Sequence, residues 1–512
     1  MLLLSPVVLA SAAALLLLVH IVTRLASPFF KVPGPVVSNF TSLVLKWHEL
    51  NANRTMYVHH LHQAYGPVVR VAPNEVSFTS AAALKEIYGS GGSGYDKTEF
   101  YNLFEVYGRK TMFSTLNKAD HAKRKRMIGD RYANTNVMRA VPVAGVQERS
   151  RRFVQRCATA PDSTTDVFMA LHSYACDCVT HQLFHPYGTD CLQKKEDEEM
   201  MHQVAADDSL QNRLVLHYSP TLHRLASKML SFLAKPRQTP LADNYVLETA
   251  KEDQVADFTV LSRLKEKNSV LDTVDMAAEC LDHMAAGIDT TGDVLCFLMW
   301  ELSQPRSKKY QTRLQEELRA KLDLPFDELP FLDAVLNEGL RCFPAIPMSL
   351  PRYVPQGGRA IDGYSLPERT VVSCQAFSLH RINDDVFPDP DTFSPDRWLD
   401  IEGDSERRRL QFAFSSGGRG CVGKQYVPWD PFNTIAHLRK QENNKLTRYS
   451  LALIEMKTLL RDVYSQYSTE PDASMEIESM AMSDQLISSR PLGKRCLLKF
   501  VALEDTDLAD KA

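Results

Sequence analysis

The pattern of apolar and polar positions changes character several times along the chain, and each change predicts an element. Leu2–Val22 is almost wholly apolar, with Leu15–Leu18 an unbroken run. About 20 such residues cross a bilayer as a helix. Arg24 and Lys31 follow the stretch and no charged side chain precedes it, which places the body of the chain on the cytosolic side and the N-terminus in the lumen. Ala10-Ser11-Ala12 could pass for a signal cleavage site. The stretch lacks a basic start and continues past that point, so an uncleaved transmembrane anchor over 1–23 is expected. Val32-Pro33-Gly34-Pro35 ends the helical text, because proline fixes φ, and predicts a stiff basic and proline-rich hinge over 24–36.

From Tyr65 the text turns to β character. Val68–Val71 and Glu75–Phe78 flank Ala72-Pro73-Asn74 and predict a hairpin. Gly89–Gly94 is a flexible loop. Arg139–Leu264 is mostly helical text, with Thr189–Glu199 polar enough to be an exposed loop. Val270–Leu302 is one long helix stopped by Pro305. Its centre, Ala285–Asp293, holds two glycines and two threonines. These are poor mid-helix residues, and they predict a local opening there. Leu332–Arg341 reads as a further helix, and Pro351–Pro355 and Gly363–Pro367 as strand and turn.

The chain has 512 residues, 44% of them hydrophobic, and ten scattered cysteines. That is ample for a large core. With no C-x-x-C pair and no dense disulfide framework, it reads as a reduced, cytosol-facing domain. A net charge of −4 implies no nucleic-acid partner.

The chemistry concentrates in Phe414-Ser-Ser-Gly417-Gly-Arg419-Gly-Cys421-Val-Gly423-Lys424. Glycines permit tight turns that bring backbone N–H groups to the sulfur. Arg419 supplies a fixed positive charge. A thiolate is one of the few protein ligands of haem iron. A glycine-rich surface turn with an inert cysteine is the bland alternative. Upstream, Glu338 and Arg341 share a helix face at i, i+3 and are followed by Cys342-Phe343-Pro344. Phe393-Ser-Pro395-Asp-Arg397-Trp398 comes later, and Glu406-Arg407-Arg408-Arg409 is a charge run before the cysteine loop.

With these motifs in this order, the chain resembles the cytochrome P450 superfamily of thiolate-haem monooxygenases, most like the membrane-bound microsomal kind and its fungal members. The resemblance implies a mainly α fold with a smaller β part, as one domain over 37–512 behind a single N-terminal transmembrane helix. It makes Cys421 the axial ligand of the iron of haem b, framed by Phe414 and Gly423. Arg419 and Arg352 become propionate partners, with His121 and Lys125 joining them from one helix face. Ala286-Gly287-Ile288-Asp289-Thr290 matches the signature of the helix over the haem. There Gly287 leaves room for dioxygen, Thr290 hydrogen-bonds it and Asp289 relays protons. Glu338, Arg341 and Arg397 correspond to a buried ionic triad.

The implied reaction inserts one oxygen atom from dioxygen into a hydrophobic small molecule, as a step in fungal secondary metabolism. Electrons come from NADPH through a reductase, with cytochrome b5 as a further partner, at the endoplasmic reticulum membrane. Rival readings are a thiolate-haem isomerase or dehydratase, which needs no Asp289–Thr290 pair, and an inactive haem-binding protein.

The pattern is broken just after the cysteine loop. Gln425–Tyr449 is polar, carries Pro428 and Pro431, and separates Lys424 from Ser450-Leu-Ala-Leu-Ile-Glu455, the text expected to follow directly. It reads as a translated, unspliced intron, with a genuine surface loop as the alternative.

Overall fold

The computed structural model describes residues 6–89, 94–234, 236–267, 270–322, 324–424 and 450–504. The 425–449 segment and most of the glycine-rich stretch at 89–94 lie outside them. The fold is mainly helical with small sheets, as expected.

Pro6–Leu25 forms a 20-residue helix with a mean hydropathy of 2.3 and no buried residue. Among the described residues it is the one helix long and apolar enough to cross a membrane. The long helix expected over 270–302 runs from Thr273 to Ser303, opened by a capping box between Asp272 and Asp275. The opening predicted at its centre is absent. The helix is continuous, and the Thr290 hydroxyl donates to the Ala286 carbonyl at 2.7 Å, so the weak local propensity is overridden by packing. That packing is against Val167–Phe184, nearly every residue of which is buried.

The exposed loop expected over Thr189–Glu199 is also corrected, at its start. Thr189, Cys191 and Leu192 are buried. The Asp177 carboxylate accepts from the Thr189 hydroxyl at 2.7 Å and from the N–H groups of Cys191 and Leu192 at 2.7 and 3.1 Å. One buried carboxylate thus ties down the start of the stretch, while Gln193–Glu196 and Glu199 are exposed as expected. From Lys195 the chain is helical.

The hairpin forms as read, with Val68 opposite Phe78. It belongs to a five-stranded sheet ordered Val68–Ala72, Glu75–Phe78, Val371–Cys374, Arg352–Tyr353, Asp96–Lys97. Glu75–Phe78 and Val371–Cys374 run parallel, and the other neighbours are antiparallel. The last pairing sets Lys97 directly opposite Arg352. The C-terminal strands are divided between two sheets. Met482–Asp484 pairs with Ser489–Pro491, whereas Leu497–Ala502 joins Thr164–Asp166 and Tyr467–Pro471.

Candidate functional site

The cysteine loop is shaped by backbone contacts. Gly417 has φ +66° and lies so close to Tyr88 that an added Cβ would stand 1.9 Å from its carbonyl oxygen, so only glycine fits. The Cys421 N–H donates to the Phe414 carbonyl at 2.9 Å and that of Gly420 to Gly417 at 3.0 Å. Nine of the ten cysteines are buried, and Cys421 is the exposed one. Its surface faces a cavity of about 810 Å³. Enclosure of that surface within the cavity, away from bulk water, pushes its thiol up, while hydrogen bonds from the Gly423 and Lys424 N–H groups and the ammoniums of Lys125 and Lys424 pull it down. A metal ion at the sulfur would complete the deprotonation.

Phe414, Arg419, Gly423, Arg352 and His121 line the same cavity, as expected of them. A further basic side chain on this wall, Lys97, was not read from the sequence. Lys97 is buried beside Arg352, its ammonium 4.5 Å from the centre of the Tyr101 ring and bonded to the Phe113 carbonyl at 2.5 Å. Like charges directly opposite on paired strands repel, and burial with Arg352 and Arg419 nearby holds the Lys97 pKa far below its ordinary range. The same neighbours and burial press His121 down to about 2. Arg419 reaches one carboxylate, Asp96 at 3.1 Å, and its Nε and Nη1 are buried without a partner. Further anionic oxygens in the cavity would stabilise such a cluster, and a group carrying carboxylates and a metal fits it.

Lys125 is placed differently from expectation. It is not on the cavity wall. Its ammonium donates to the carbonyls of Gly418 and Gly420 at 3.2 and 2.8 Å, so it braces the loop from behind. Arg124 cannot substitute for it, being paired with Glu279 at 3.2 Å.

On the facing wall, Asp289 and Thr290 line the cavity. Asp289 Oδ1 has no partner, and burial with Asp293 nearby raises the carboxyl to about 7. Gly287 lines the cavity too. A Cβ there would come within 2.6 Å of Val179 Cγ2, so the missing side chain also admits the neighbouring helix.

Because the folded-state pKa of Asp289 lies above its ordinary 3.8, the folded protein retains a proton that the unfolded chain has lost. Wild type therefore loses stability as pH rises through that window. Urea unfolding should show Asp289→Asn gaining on wild type from about pH 4 to pH 7 and holding constant above; a gap independent of pH would contradict this.

The ionic triad forms as expected, behind the cavity. Glu338 accepts from Arg341 at 2.8 and 2.9 Å and from Arg397 at 3.0 Å. The Ser394 N–H at 2.8 Å and the Trp398 indole N–H at 2.9 Å complete its shell. Both arginines and these hydrogen bonds hold the buried Glu338 carboxyl below its ordinary range, against the opposing effect of burial. His380, also missed in the sequence, links the triad to the cysteine loop. Its Nδ1–H donates to the Arg341 carbonyl at 3.0 Å, and its Nε2 accepts from the Phe412 N–H at 2.9 Å. The Leu451–Tyr464 helix starts at the same cavity, where Leu451, Ala452 and Glu455 form part of the wall.

A sequence profile of the cytochrome P450 family matches residues 32–426. Relatives along most of the chain have the same character. Cytochrome P450 monooxygenase stcB of Emericella nidulans is 27% identical, over 92% of this chain and 88% of its own length. Cytochrome P450 monooxygenase orf2 of Aspergillus niger is 26% identical, over 96% and 97%. Cytochrome P450 monooxygenase tazI of Aspergillus terreus is 28% identical, over 83% and 90%. Taken with a cysteine loop opening on a cation-lined cavity beneath a long central helix, the profile match settles the kinship: the chain belongs to the cytochrome P450 family.

Proposed function

We propose that the cavity holds haem b with Cys421 as axial thiolate ligand, and that the protein is a monooxygenase inserting one oxygen atom from dioxygen into a hydrophobic small molecule of fungal secondary metabolism. The observation that carries this is one exposed thiol facing the same cavity as the guanidiniums of Arg352 and Arg419, the latter with two buried nitrogens that have no partner. The names of the relatives, monooxygenases of fungi, support it.

When bound, the haem supplies dioxygen activation, and thiolate donation favours O–O cleavage. The chain's residues do the rest. Arg419, Arg352, Lys97 and His121 orient the two carboxylates. Lys125 and the Gly423 and Lys424 N–H groups hold the sulfur loop. Asp289, poised near neutrality, holds a proton at the cavity wall, and Thr290 presents its hydroxyl oxygen one residue further on. Apolar residues such as Val106, Leu281 and Leu340 keep the space poor in water.

Electrons would come from NADPH through a reductase, with cytochrome b5 as a second donor. Arg408 and Arg409 are exposed near the loop, whereas Arg407 is buried and bonded to the Asp400 carbonyl. The apolar N-terminal helix would anchor the protein in the endoplasmic reticulum membrane with its body in the cytosol. A second apolar stripe, Leu222, Leu225, Met229 and Phe232 on one helix face, is exposed and would rest on the same bilayer. We also propose that 425–449 is an unspliced intron in the gene; sequencing the expressed transcript decides it, and a dominant message containing the segment would refute it.

The reduced, CO-bound absorption spectrum tests the main reading, recorded with and without residues 425–449. A red-shifted, thiolate-type Soret band is expected, and its absence from both forms would refute haem–thiolate ligation. Lys97→Met provides a second check with opposite signs. It should stabilise the haem-free protein by about 1–2 kcal/mol and weaken haem retention. Wild-type Lys97 is held below its ordinary pKa, so folding strips a proton from it, at a cost that grows as pH falls. The gain should therefore be larger at pH 6 than at pH 9. A variant that retains haem as wild type does would remove Lys97 from the site.

A further inference from the structure

Two separate groups of cations line the cavity. The positive charges acting on Lys97 and His121 are Arg352, Arg419 and, from behind the loop, Lys125, with Asp282 opposing them at Lys97; the haem carboxylates would answer the rest. A second group, Arg213 and Arg237, acts on the other wall, where Asp289 feels Arg237 and Asp207. These two guanidiniums share one carboxylate. Asp207 Oδ2 lies 3.1 Å from Arg213 Nη1 and 3.5 Å from Arg237 Nε, while Oδ1 accepts the N–H of Ser209 at 2.9 Å and its hydroxyl.

The nearby acids are not paired with the Nη groups of Arg237. Asp243 Oδ1 accepts the hydroxyls of Tyr107 and Thr239, each at 3.2 Å. Asp289 holds its proton up to about pH 7. Arg213 also donates to the Leu103 carbonyl, and burial with Arg237 alongside pulls it down to about 10. Among the described residues, the Nη groups of Arg237 have no protein partner. A planar guanidinium with two free N–H edges matches a carboxylate in bidentate fashion.

We infer that the substrate carries a single carboxylate on an otherwise apolar body, held by Arg237 with Arg213 beside it. This rests on the reading of the site as the oxidation site of a haem enzyme. It adds a specificity determinant: the anion fixes which part of the apolar body lies near Asp289 and Thr290.

The test uses the full-length, haem-loaded protein at pH 6, where Asp289 keeps its proton, with 4-phenylbutanoate and its methyl ester as probes and calorimetry as the readout. The acid should bind at least about tenfold tighter than the ester. Arg237→Gln should bring the two within about twofold, and Asp207→Asn, which frees a second guanidinium, should widen the wild-type preference. An acid that binds no tighter than the ester, including binding of neither, overturns the inference, as does a preference unchanged in Arg237→Gln. The CO spectrum separates this from the underlying reading. A normal thiolate band without acid preference sinks the carboxylate site alone. Acid preference without the band sinks the haem reading and leaves the site standing.

Discussion

Cys421→Ser is expected to abolish the red-shifted Soret band of the reduced CO complex and to lower haem retention by about a hundredfold or more. Losing an outer-shell partner of a metal ligand already costs about 10–100-fold, and here the ligand itself would go. The loop should survive, because it is set by Gly417 against Tyr88, by the Cys421 N–H to Phe414, and by Lys125 on the Gly418 and Gly420 carbonyls. None of these uses the sulfur. Circular dichroism should therefore show a native helix content with the spectral signature gone. A variant that kept the thiolate band would disprove ligation by Cys421, since the other nine cysteines are buried.

The second large effect is expected on stability. Glu338→Gln should cost about 3–5 kcal/mol, because it strands two guanidiniums in a buried place with their anion gone and one acceptor oxygen left. Arg341 is wholly buried and Arg397 nearly so. The neutral amide also turns a donor toward either Arg397 and the Ser394 N–H or Arg341 and the Trp398 indole, where all partners donate. Damage should reach the cysteine loop through His380, which burial holds neutral with a pKa of about 3 and which joins the Arg341 carbonyl to the Phe412 N–H. Haem loss on heating should thus move to lower temperature together with unfolding. Arg397→Lys keeps a cation there and leaves the bidentate Arg341 pair intact, so it should cost about 1–2 kcal/mol. Equal losses in the two variants would argue against the carboxylate as the hub.

Much of the fold and site was legible because its signals are local. Glycines around one cysteine, E-x-x-R on a single helix face and an apolar run at the N-terminus state their chemistry within a few residues. So do the hairpin at Val68–Phe78 and the long helix stopped by Pro305, since backbone periodicity and proline geometry act over short separations.

What needed the tertiary structure depends on groups that meet from far apart. Lys97 sits on a two-residue strand with no readable period and matters because the sheet sets it opposite Arg352. Lys125 has the expected helical spacing, yet rotation of its helix face sends it to the Gly418 and Gly420 carbonyls. Gly287 fits a ligand-side signature but is required by Val179 on another helix. Thr189 and Cys191 look solvated until Asp177 is placed beneath them. Asp207 with Arg213 and Arg237 makes a cationic wall only after helices and loop converge on the cavity. Thus the sequence by itself determined the family, the cysteine proposed as ligand and the ionic triad. The tertiary structure decided which charges are buried without answer, because desolvation and like-charge crowding are properties of three-dimensional neighbours rather than of spacing along the chain.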